Sequence, residues 1–467
     1  MSLKFIKAWV AISSTIAKET ILSKIINTIN MFSIDIANKN FDDLQRKYID
    51  TILKLDDSKT IMLETKGEDI SIKNMNSLEF VLDQTIYLEY SSILEDDNSA
   101  LFINYAHIDD CPVGTIIGFM GSDIQLKLVD RSNELYKLVC VMSWSIHLGQ
   151  KIFFHNYNPK VSFLSERDKK NVIWWIQSGV NVLSVWSIKS PWDVEDIRIF
   201  LNSNNGQGMK LYARLSQKMV KEWVYPIVDA VDGVVVHHDD WWDLDGEHEF
   251  ILSVKNIWKP VIIVLNSMDL AEDIAMINQL QRYVKLGVDI ITISEWFLSE
   301  SEAPLENIQK VFSELALIES QEQYLPNIRS IQYKKDDILD ENNYLIDLLP
   351  KIITDTEAKI VLCYTTHGRT AAKISALGMS VPLLIFTRDD FSYRYNNLLW
   401  WVKWYKIWQT STYEMFKQIG KEMIRIYFKW NISLDDKVVI VNILEDAKES
   451  VIDWLINGVE LYKFKNI

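Results

Sequence analysis

Lys259-Pro260-Val261-Ile262-Ile263-Val264-Leu265 decides the fold, because its residues Val261–Leu265 are a short apolar, β-branched run followed by residues with helical spacing. The same pattern recurs at Ala8–Ile12, Met31–Ile36, Thr60–Leu63, Val180–Val185, Lys210–Leu215, Gly233–Val236 and Asp289–Ile293. Such alternation predicts parallel strands joined by helices, and eight units are the number that closes a (β/α)8 barrel. A doubly wound open sheet is the alternative, since periodicity does not show closure.

Two further regions interrupt or follow these units. Between the third and fourth units, from Glu68 to about Phe163, alternating stretches such as Ile124–Leu128 predict an inserted β domain. After a polar segment from Glu319 to Glu341, two runs beginning at Lys359 and Val381 start new βα units. We therefore expect a barrel over 1–68 and 161–325, a β domain over 69–160 and an α/β domain over 326–467.

The bulk composition narrows the classes of function. The 467 residues include 49 Lys and Arg against 64 Asp and Glu, a net charge of −15, which argues against a nucleic-acid or anionic-membrane surface. No apolar run approaches the length of a membrane span, and the amino terminus lacks a signal-peptide pattern, so we expect a cytoplasmic protein. The widely spaced Cys111, Cys140 and Cys363 are expected to be reduced, buried thiols.

Local motifs in this order resemble those of the pyruvate kinase family over nearly the whole chain. The motifs that carry the resemblance are Glu64–Gly67, Leu164–Asp168, Val231–Gly233, Lys259–Ile262 and Thr365–Thr370. The resemblance implies the fold expected above, an α/β barrel with an inserted β domain and a carboxy-terminal α/β domain. It also implies phosphoryl transfer from phosphoenolpyruvate to ADP, Mg²⁺ and K⁺ as cofactors, and a homotetramer.

Tryptophan is unusually frequent and glycine unusually rare. The chain has 17 Trp and 15 Gly, whereas Gly alone would be roughly thirty at ~7% of residues. Several tryptophans fall where the resemblance places glycine: Trp144, Trp175, Trp223, Trp242, Trp258, Trp401 and Trp430. Turns that need positive φ accept an indole only at a cost, so our hypothesis is that UGA codons meaning glycine were translated as tryptophan. Indoles used as core filler are the alternative.

The early strand ends keep part of the site that the resemblance implies. At strand two the family's Arg, Asn and Ser, which contact the phosphoryl group and a monovalent cation, read Ser33, Asp35 and Ala37. At strand three the family's Asp-Thr-Lys-Gly reads Glu64-Thr65-Lys66-Gly67, which keeps a carboxylate, a hydroxyl and the Lys. Solvated charges at an ordinary strand end are the alternative interpretation.

The ends of the later strands have lost more of the catalytic site that the resemblance implies. At strand five the family's Lys-Ile-Glu reads Arg214-Leu215-Ser216, which keeps a cation but loses a metal-binding carboxylate. At strand six Asp240 takes the metal-ligand position, with Asp239 beside it, and His237-His238 could instead contribute to a transition-metal site. At strand seven the Thr associated with proton delivery is replaced by Leu265.

The carboxy-terminal loop Thr365-Thr366-His367-Gly368-Arg369-Thr370 offers hydroxyls, amides and an Arg before a helix expected to start near Ala371. These groups suit a phosphate, and in the family this loop binds phosphorylated effectors. A plain helix N-cap is the alternative. Two functions therefore stay open: a pyruvate kinase-like enzyme of glycolysis with impaired activity, using phosphoenolpyruvate and ADP/ATP, or an inactive homologue that binds nucleotide or sugar phosphate as a regulatory protein.

Overall fold

We analysed a computed structural model of the chain. It describes residues 6–467 except 13–15, 36–42, 66–69, 120–124, 133–134, 143, 147, 149, 151, 156, 158–163, 187, 189, 216–223, 239–243, 258, 266–272, 294–303, 322–340, 408–411 and 444–457. Two compact units result, one formed by residues 1–65 with 169–467 and the other by residues 66–168.

Eight parallel strands of the described chain close into a barrel. In chain order they are β1 (Lys7–Ala11), β2 (Met31–Asp35), β3 (Thr60–Thr65), β12 (Val182–Val185), β13 (Lys210–Leu215), β14 (Gly233–His237), β15 (Val261–Leu265) and β16 (Ile290–Ile293). β1 pairs with β16 and closes the circle. The numbers skipped between β3 and β12 belong to the inserted β4–β11. Closure confirms the (β/α)8 barrel and excludes the open sheet, and each strand lies within two residues of its predicted bounds.

Helices follow the strands of the barrel. They are α1 (Glu19–Ile25), α2 (Asp43–Leu55), α3 (Glu166–Gln177), α4 (Pro191–Ser203), α5 (Val224–Ala230), α6 (Leu244–Asn256), α7 (Asp273–Leu286) and α8 (Pro304–Glu319). The start of α4 shows how the sequence fixes a boundary: Ser190 and Asp193 form a reciprocal capping box, and Pro191 occupies the first turn. Such signals mark where the helix begins.

Side chains alternate between the inside and the outside of the barrel because strand residues have period two. Trp9, Met31, Met62, Val182, Tyr212, Val235, Ile262, Val264 and Ile290 form one buried cluster inside it. Residues two positions further along these strands also point into the barrel, and they lie nearer its carboxy-terminal end. Ser33, Glu64 and Arg214 have this inward parity, so they lie on the side of their strands that faces the carboxy-terminal mouth.

The second unit contains β4 (Leu78–Phe80), β5 (Thr85–Tyr90), β6 (Ala100–Ile103), β7 (Ile116–Phe119), β8 (Gln125–Ser132), β9 (Leu135–Met142), β10 (Trp144–Ile146) and β11 (Ile152–Phe154). Six of them form a sheet in the order β11-β7-β8-β9-β5-β6, over its own apolar core. Cys111 and Cys140 are buried here, and Cys363 is buried elsewhere, all three as free thiols.

A mixed α/β sheet follows the barrel. Its strands are β17 (Ile360–Tyr364), β18 (Leu383–Thr387), β19 (Val402–Lys406), β20 (Lys437–Asn442) and β21 (Gly458–Lys463), in the order β19-β18-β17-β20-β21. Its helices are α9 (Glu341–Asp347), α10 (Leu349–Thr356), α11 (Arg369–Ala376), α12 (Asp390–Tyr395) and α13 (Tyr413–Tyr427). Buried clusters cover both faces of the sheet.

This sheet is joined to the bottom of the barrel through the segment around α12. Tyr395 and Leu398 belong to the buried cluster inside the barrel. Lys7 Nζ donates to the carbonyl of Val402 at 2.8 Å, and Thr60 Oγ1 donates to the carbonyl of Arg394 at 2.5 Å. The predicted boundary at 325/326 falls among residues outside the described part and stays a prediction.

The tryptophans at expected glycine positions fall into two groups in the described chain. Trp401 and Trp430 have positive φ, 51° and 68°, the conformation that glycine tolerates best. Trp175 is instead fully buried in α3, and Trp144 lies in β10 opposite Phe80. Trp144 is thus in a strand and not in the turn that the resemblance implied. Trp223, Trp242 and Trp258 lie outside the described residues.

Candidate active site at the barrel mouth

Glu64, Arg214 and His237 face the barrel mouth, each two residues beyond an inward-facing side chain of its strand. Glu64 pairs in register with Ser184 of β12, and Arg214 pairs with Val235 of β14. An anionic and a cationic side chain thus share the end of the barrel where (β/α)8 enzymes carry out chemistry.

Arg214 holds the cation expected at the end of the fifth barrel strand. Its guanidinium carbon lies 3.6 Å from the ring centroid of Trp186, a cation–π contact. An aromatic face attracts the flat, delocalised guanidinium and leaves its charge in place. Arg214 is thereby presented at the mouth as a fork of N–H donors, which suits a carboxylate or phosphate oxygen.

His237 is a mouth residue whose place beside Arg214 the sequence analysis missed. Its Nε2 is buried and has no hydrogen-bond partner among the described residues. Burial, and to a smaller extent the charge of Arg214, holds the pKa of His237 well below its ordinary value. The inward parity of β14 was the available signal, because Val235 and His237 are two residues apart.

His238 points away from His237 and into a different cluster. Its Nδ1 lies 3.1 Å from Glu247 Oε1 and 3.1 Å from the Tyr283 hydroxyl, and its Nε2 lies 3.1 Å from the Gln279 amide nitrogen. Glu247 is fully buried, so this cluster packs β14 against α6 and α7. The two adjacent histidines diverge, which removes the geometric basis for a transition-metal site that uses both.

Of the remaining residues predicted at the mouth, some are described by the structure and some are not. Ser33 is buried on the inward side of β2, and Thr65 is buried with Oγ1 3.5 Å from the carbonyl of Ser184. Asp35 ends β2 opposite Glu64. Lys66, Asp239 and Asp240 lie outside the described residues and stay predictions.

We tested whether the described mouth offers a ligand set for Mg²⁺. Among the residues that the structure describes, no three His, Cys, Asp or Glu side chains converge as metal ligands. Glu64 shares the mouth with the cation of Arg214, and the two aspartates expected to bind metal are not among those residues. The described side chains alone do not form a site for the ion.

The loop Thr365–Thr370 lies at the carboxy-terminal end of β17. Thr365 Oγ1 accepts a 2.9 Å hydrogen bond from the amide of Gly368, whose φ is 79°. α11 begins at Arg369 with Gly368 as its N-cap, so the helix starts two residues before the predicted Ala371 and no side chain caps it. Thr366 Oγ1 is buried without a hydrogen-bond partner in the described chain.

Exposure separates the side chains of this loop. His367 and Arg369 are exposed, and Thr370 is buried. The Lys210 ammonium donates to the carbonyl of His367 at 3.3 Å, which joins the loop to the start of β13. The amino-terminal end of α11, together with the exposed Arg369, suits an anion because the helix dipole is positive there.

Asn442 is a polar residue near this loop that the sequence analysis missed. It ends β20 opposite Tyr364, at the point where the strand order reverses from β17–β18 to β17–β20. Open α/β sheets bind ligands at such switch points. Both side-chain amide atoms of Asn442 are buried without a hydrogen-bond partner among the described residues.

The fold and these sites define a (β/α)8 protein with a separate inserted sheet and a carboxy-terminal α/β domain. Residues 10–257 match the family model of the pyruvate kinase barrel domain, and residues 346–449 match that of the pyruvate kinase alpha/beta domain. The chain belongs to the pyruvate kinase family. Within the described residues, no helix is long and apolar enough to cross a membrane.

Curated relatives are similar at low identity. Pyruvate kinase of Sporosarcina psychrophila is 22% identical over 362 residues, which cover 73% of this chain and 61% of that protein. Pyruvate kinase of Thermotoga maritima is 22% identical over 391 residues, 78% of this chain and 80% of the relative. That of Clostridium acetobutylicum is 21% identical over 369 residues, 75% and 76% of the two chains.

Proposed function

We propose that the barrel mouth transfers the phosphoryl group of phosphoenolpyruvate to ADP, with activity impaired relative to the family, as a step of glycolysis. Membership of the pyruvate kinase family supports this class of reaction. The observation that carries the proposal is Arg214, a cation at the carboxy-terminal end of β13 inside the mouth. Negative charge on the enolate that forms as the P–O bond breaks requires such a cation.

Arg214 would hold the enolate oxygen and an adjacent carboxylate oxygen through two parallel N–H donors. Its charge is fixed at all working pH values, so it stabilises the anion without itself giving up a proton. His237 Nε2, buried beside it, can donate a second hydrogen bond to the same anion in its Nε2–H tautomer. These two side chains bind and orient the substrate.

We expect impaired activity because two positions lack the side chains that the resemblance implies for catalysis. Ser33 stands where the resemblance implies an Arg, and a buried hydroxyl cannot neutralise phosphoryl charge. Leu265 is buried and apolar where the resemblance implies a Thr, so it carries no proton. Losing one donor to transition-state charge costs about 10²–10³ in kcat.

Mg²⁺ at Asp239 and Asp240 and K⁺ at Ser33, Asp35, Glu64 and Thr65 complete the proposal by resemblance, with Lys66 near the transferred group. A divalent cation, when bound, neutralises charge on the phosphates. We also propose a cytoplasmic homotetramer, which sedimentation of the purified chain would test.

A coupled assay of pyruvate formation from phosphoenolpyruvate and ADP tests the proposal. We expect slow turnover that Arg214→Met lowers at least about a hundredfold. Arg425→Met is the matched control, because the partly exposed Arg425 pairs with Glu422 on α13, in the carboxy-terminal domain and not at the barrel mouth, and it should leave the rate unchanged. Turnover abolished by Asp240→Ala would exclude the non-catalytic alternative, and equal rates in wild type and Arg214→Met would contradict the assignment of Arg214.

The second candidate is an inactive homologue that binds nucleotide or sugar phosphate at the loop Thr365–Thr370. The specific observation in its favour is the buried Thr366 hydroxyl, which has no hydrogen-bond partner in the described chain and lies beside the start of α11, where none of the described side chains caps the helix. Calorimetry with AMP and with glucose 6-phosphate would test it. We expect one of them to bind, with Arg369→Met weakening it at least about tenfold, and no binding of either would contradict a phosphate site.

A further inference from the structure

Trp186 lies beside Arg214 at the barrel mouth because of the register of two neighbouring strands. Val185, which ends β12, is opposite Ala213 of β13. One residue further, the same register places Trp186 opposite Arg214, on strands that are spaced roughly 4.8 Å apart. Trp186 also has inward parity, since it lies four residues after Val182 of the buried cluster inside the barrel. The barrel backbone therefore brings the indole and the guanidinium together.

The distance between these two groups fixes how the guanidinium lies on the indole. The central carbon of the Arg214 guanidinium is 3.6 Å from the ring centroid of Trp186. If an N–H group pointed at the ring, its nitrogen would lie about 1.3 Å closer to the ring, well inside a contact distance of about 3.5 Å. The guanidinium plane is therefore roughly parallel to the indole face. Its N–H donors point sideways, along the ring and not into it.

This stack restricts the plane of the Arg214 donors before a ligand binds. An arginine side chain has several rotatable bonds, and a ligand that must hold it in one plane loses binding free energy to the lost rotamer freedom. Contact with the ring removes part of that freedom in advance. Trp186 and Arg214 are both half-buried, so water screens their attraction less than it does at an exposed site.

We propose that Trp186 is a positioning residue, which holds Arg214 so that the mouth prefers a flat anion with two adjacent oxygens over a tetrahedral anion. Two parallel N–H donors of one guanidinium match two acceptor oxygens in the same plane. A tetrahedral anion turns its other oxygens out of that plane, and one of them then approaches the negative face of the indole. The inference rests on the proposed function, since an enolate conjugated with a carboxylate is a flat anion of this kind.

Calorimetry with oxalate and sulfate measures this preference without turnover. Both are dianions, but the carboxylates of oxalate can lie in one plane, whereas sulfate is tetrahedral. The full chain carries Arg369→Met throughout, so that the carboxy-terminal loop does not contribute, and a chelator removes divalent ions. We expect oxalate to bind more tightly than sulfate. Trp186→Leu should weaken oxalate about three- to thirtyfold and sulfate less than about twofold, whereas Trp186→Phe, which keeps a ring face, should retain most of the affinity.

A double-variant cycle tests whether Trp186 acts through Arg214. Arg214→Lys keeps the charge in a compact ammonium that has no plane to fix. In that background, Trp186→Leu should change oxalate affinity less than about twofold. In turnover, Trp186→Leu should lower kcat more than it raises the KM of phosphoenolpyruvate, because charge on the enolate oxygen develops only in the transition state.

Trp430→Leu is the matched control. Trp430 follows α13 in the carboxy-terminal domain, is 68% exposed and contacts Arg425 at 5.6 Å, so this substitution removes a cation–π contact outside the barrel. It should leave the affinities for oxalate and sulfate unchanged. Thermal unfolding of each ligand-free variant verifies that the chain is folded at the temperature of the titration.

The inference is overturned if sulfate binds as tightly as oxalate, if Trp186→Leu leaves oxalate affinity unchanged, or if its effect is as large in the Arg214→Lys background as in the parent chain. Failure of the proposed function gives a different pattern. In that case no pyruvate forms from phosphoenolpyruvate and ADP, while oxalate still binds with an affinity that depends on Trp186.

Discussion

Trp430 provides a test of why indoles occupy positions that suit glycine. It follows α13 with φ of 68°, is 68% exposed, and its amide donates to Arg425 O at 2.8 Å. Replacing it by Ala or by Gly removes the same indole contacts, including the cation–π contact with Arg425 at 5.6 Å. The two variants differ only in backbone preference, so Trp430→Gly should be more stable than Trp430→Ala by about 1 kcal/mol.

Trp192 is the matched control for this comparison. It is 72% exposed and lies in the first turn of α4, where φ is right-handed. Ala is preferred over Gly in that conformation, so the unfolding free energy of Trp192→Ala should exceed that of Trp192→Gly by about 0.5–1 kcal/mol. Urea unfolding followed by circular dichroism measures all four variants. The same order of Ala and Gly at both positions would refute the argument from positive φ.

Three further predictions concern stability. Burial lowers the pKa of Lys7 from 10.5 to about 7, so protonated Lys7 costs the folded state roughly 5 kcal/mol below pH 7, partly offset by its bond to Val402. Wild type should therefore gain stability from pH 7 to 10.5, and the advantage of Lys7→Met should shrink over that range in urea titrations. Lys255→Met removes the ammonium that lies 2.5 Å from the buried Asp289 carboxylate and leaves that charge with the amides of Val261 and Trp400, so it should lower the unfolding free energy by about 3–5 kcal/mol. The Lys255→Met/Asp289→Asn double variant, which removes both charges and keeps acceptor oxygen for the amides, should lose less. Gly368→Ala, at φ of 79°, should cost about 1–2 kcal/mol, and no loss in a urea titration would contradict its left-handed conformation.

The sequence predicted the barrel because each strand is a short β-branched run whose two faces are both buried, one inside the barrel and one under the helices. Val261–Leu265 shows this best, since all its residues are buried and its bounds match the prediction. Periodicity alone did not distinguish a closed from an open sheet. Closure depends on the pairing of β1 with β16, a contact between the two ends of the barrel sequence.

The candidate site was less predictable, because neighbouring side chains on a strand face opposite ways. His237 and His238 were considered together, yet one faces Arg214 and the other binds Glu247. The predicted start of α11, near Ala371, was two residues too late for a different reason. Gly368 enters the helix through a left-handed φ, and no Ser, Thr, Asp or Asn at the N-cap marks the boundary.

Tertiary contacts account for what could not be predicted. Asn181 and Asn442 are ordinary residues in the sequence, and only the packing of strands and loops around them leaves the Asn181 side-chain oxygen and both Asn442 amide atoms without hydrogen-bond partners among the described residues. A cleft that Asn181 lines requires α12 to pack against loops nearly two hundred positions earlier in the chain. No local pattern encodes a cavity of that kind.

The most direct test of the central claim is phosphorus NMR of phosphoenolpyruvate incubated with ADP, Mg²⁺, K⁺ and the full chain. The account predicts slow loss of the phosphoenolpyruvate resonance with matching growth of the γ-phosphate of ATP, and a rate reduced at least about a hundredfold by Arg214→Met. Arg425→Met serves again as the control. Release of inorganic phosphate in place of ATP, or transfer that is indifferent to Arg214, would contradict a phosphotransferase that works through the barrel mouth.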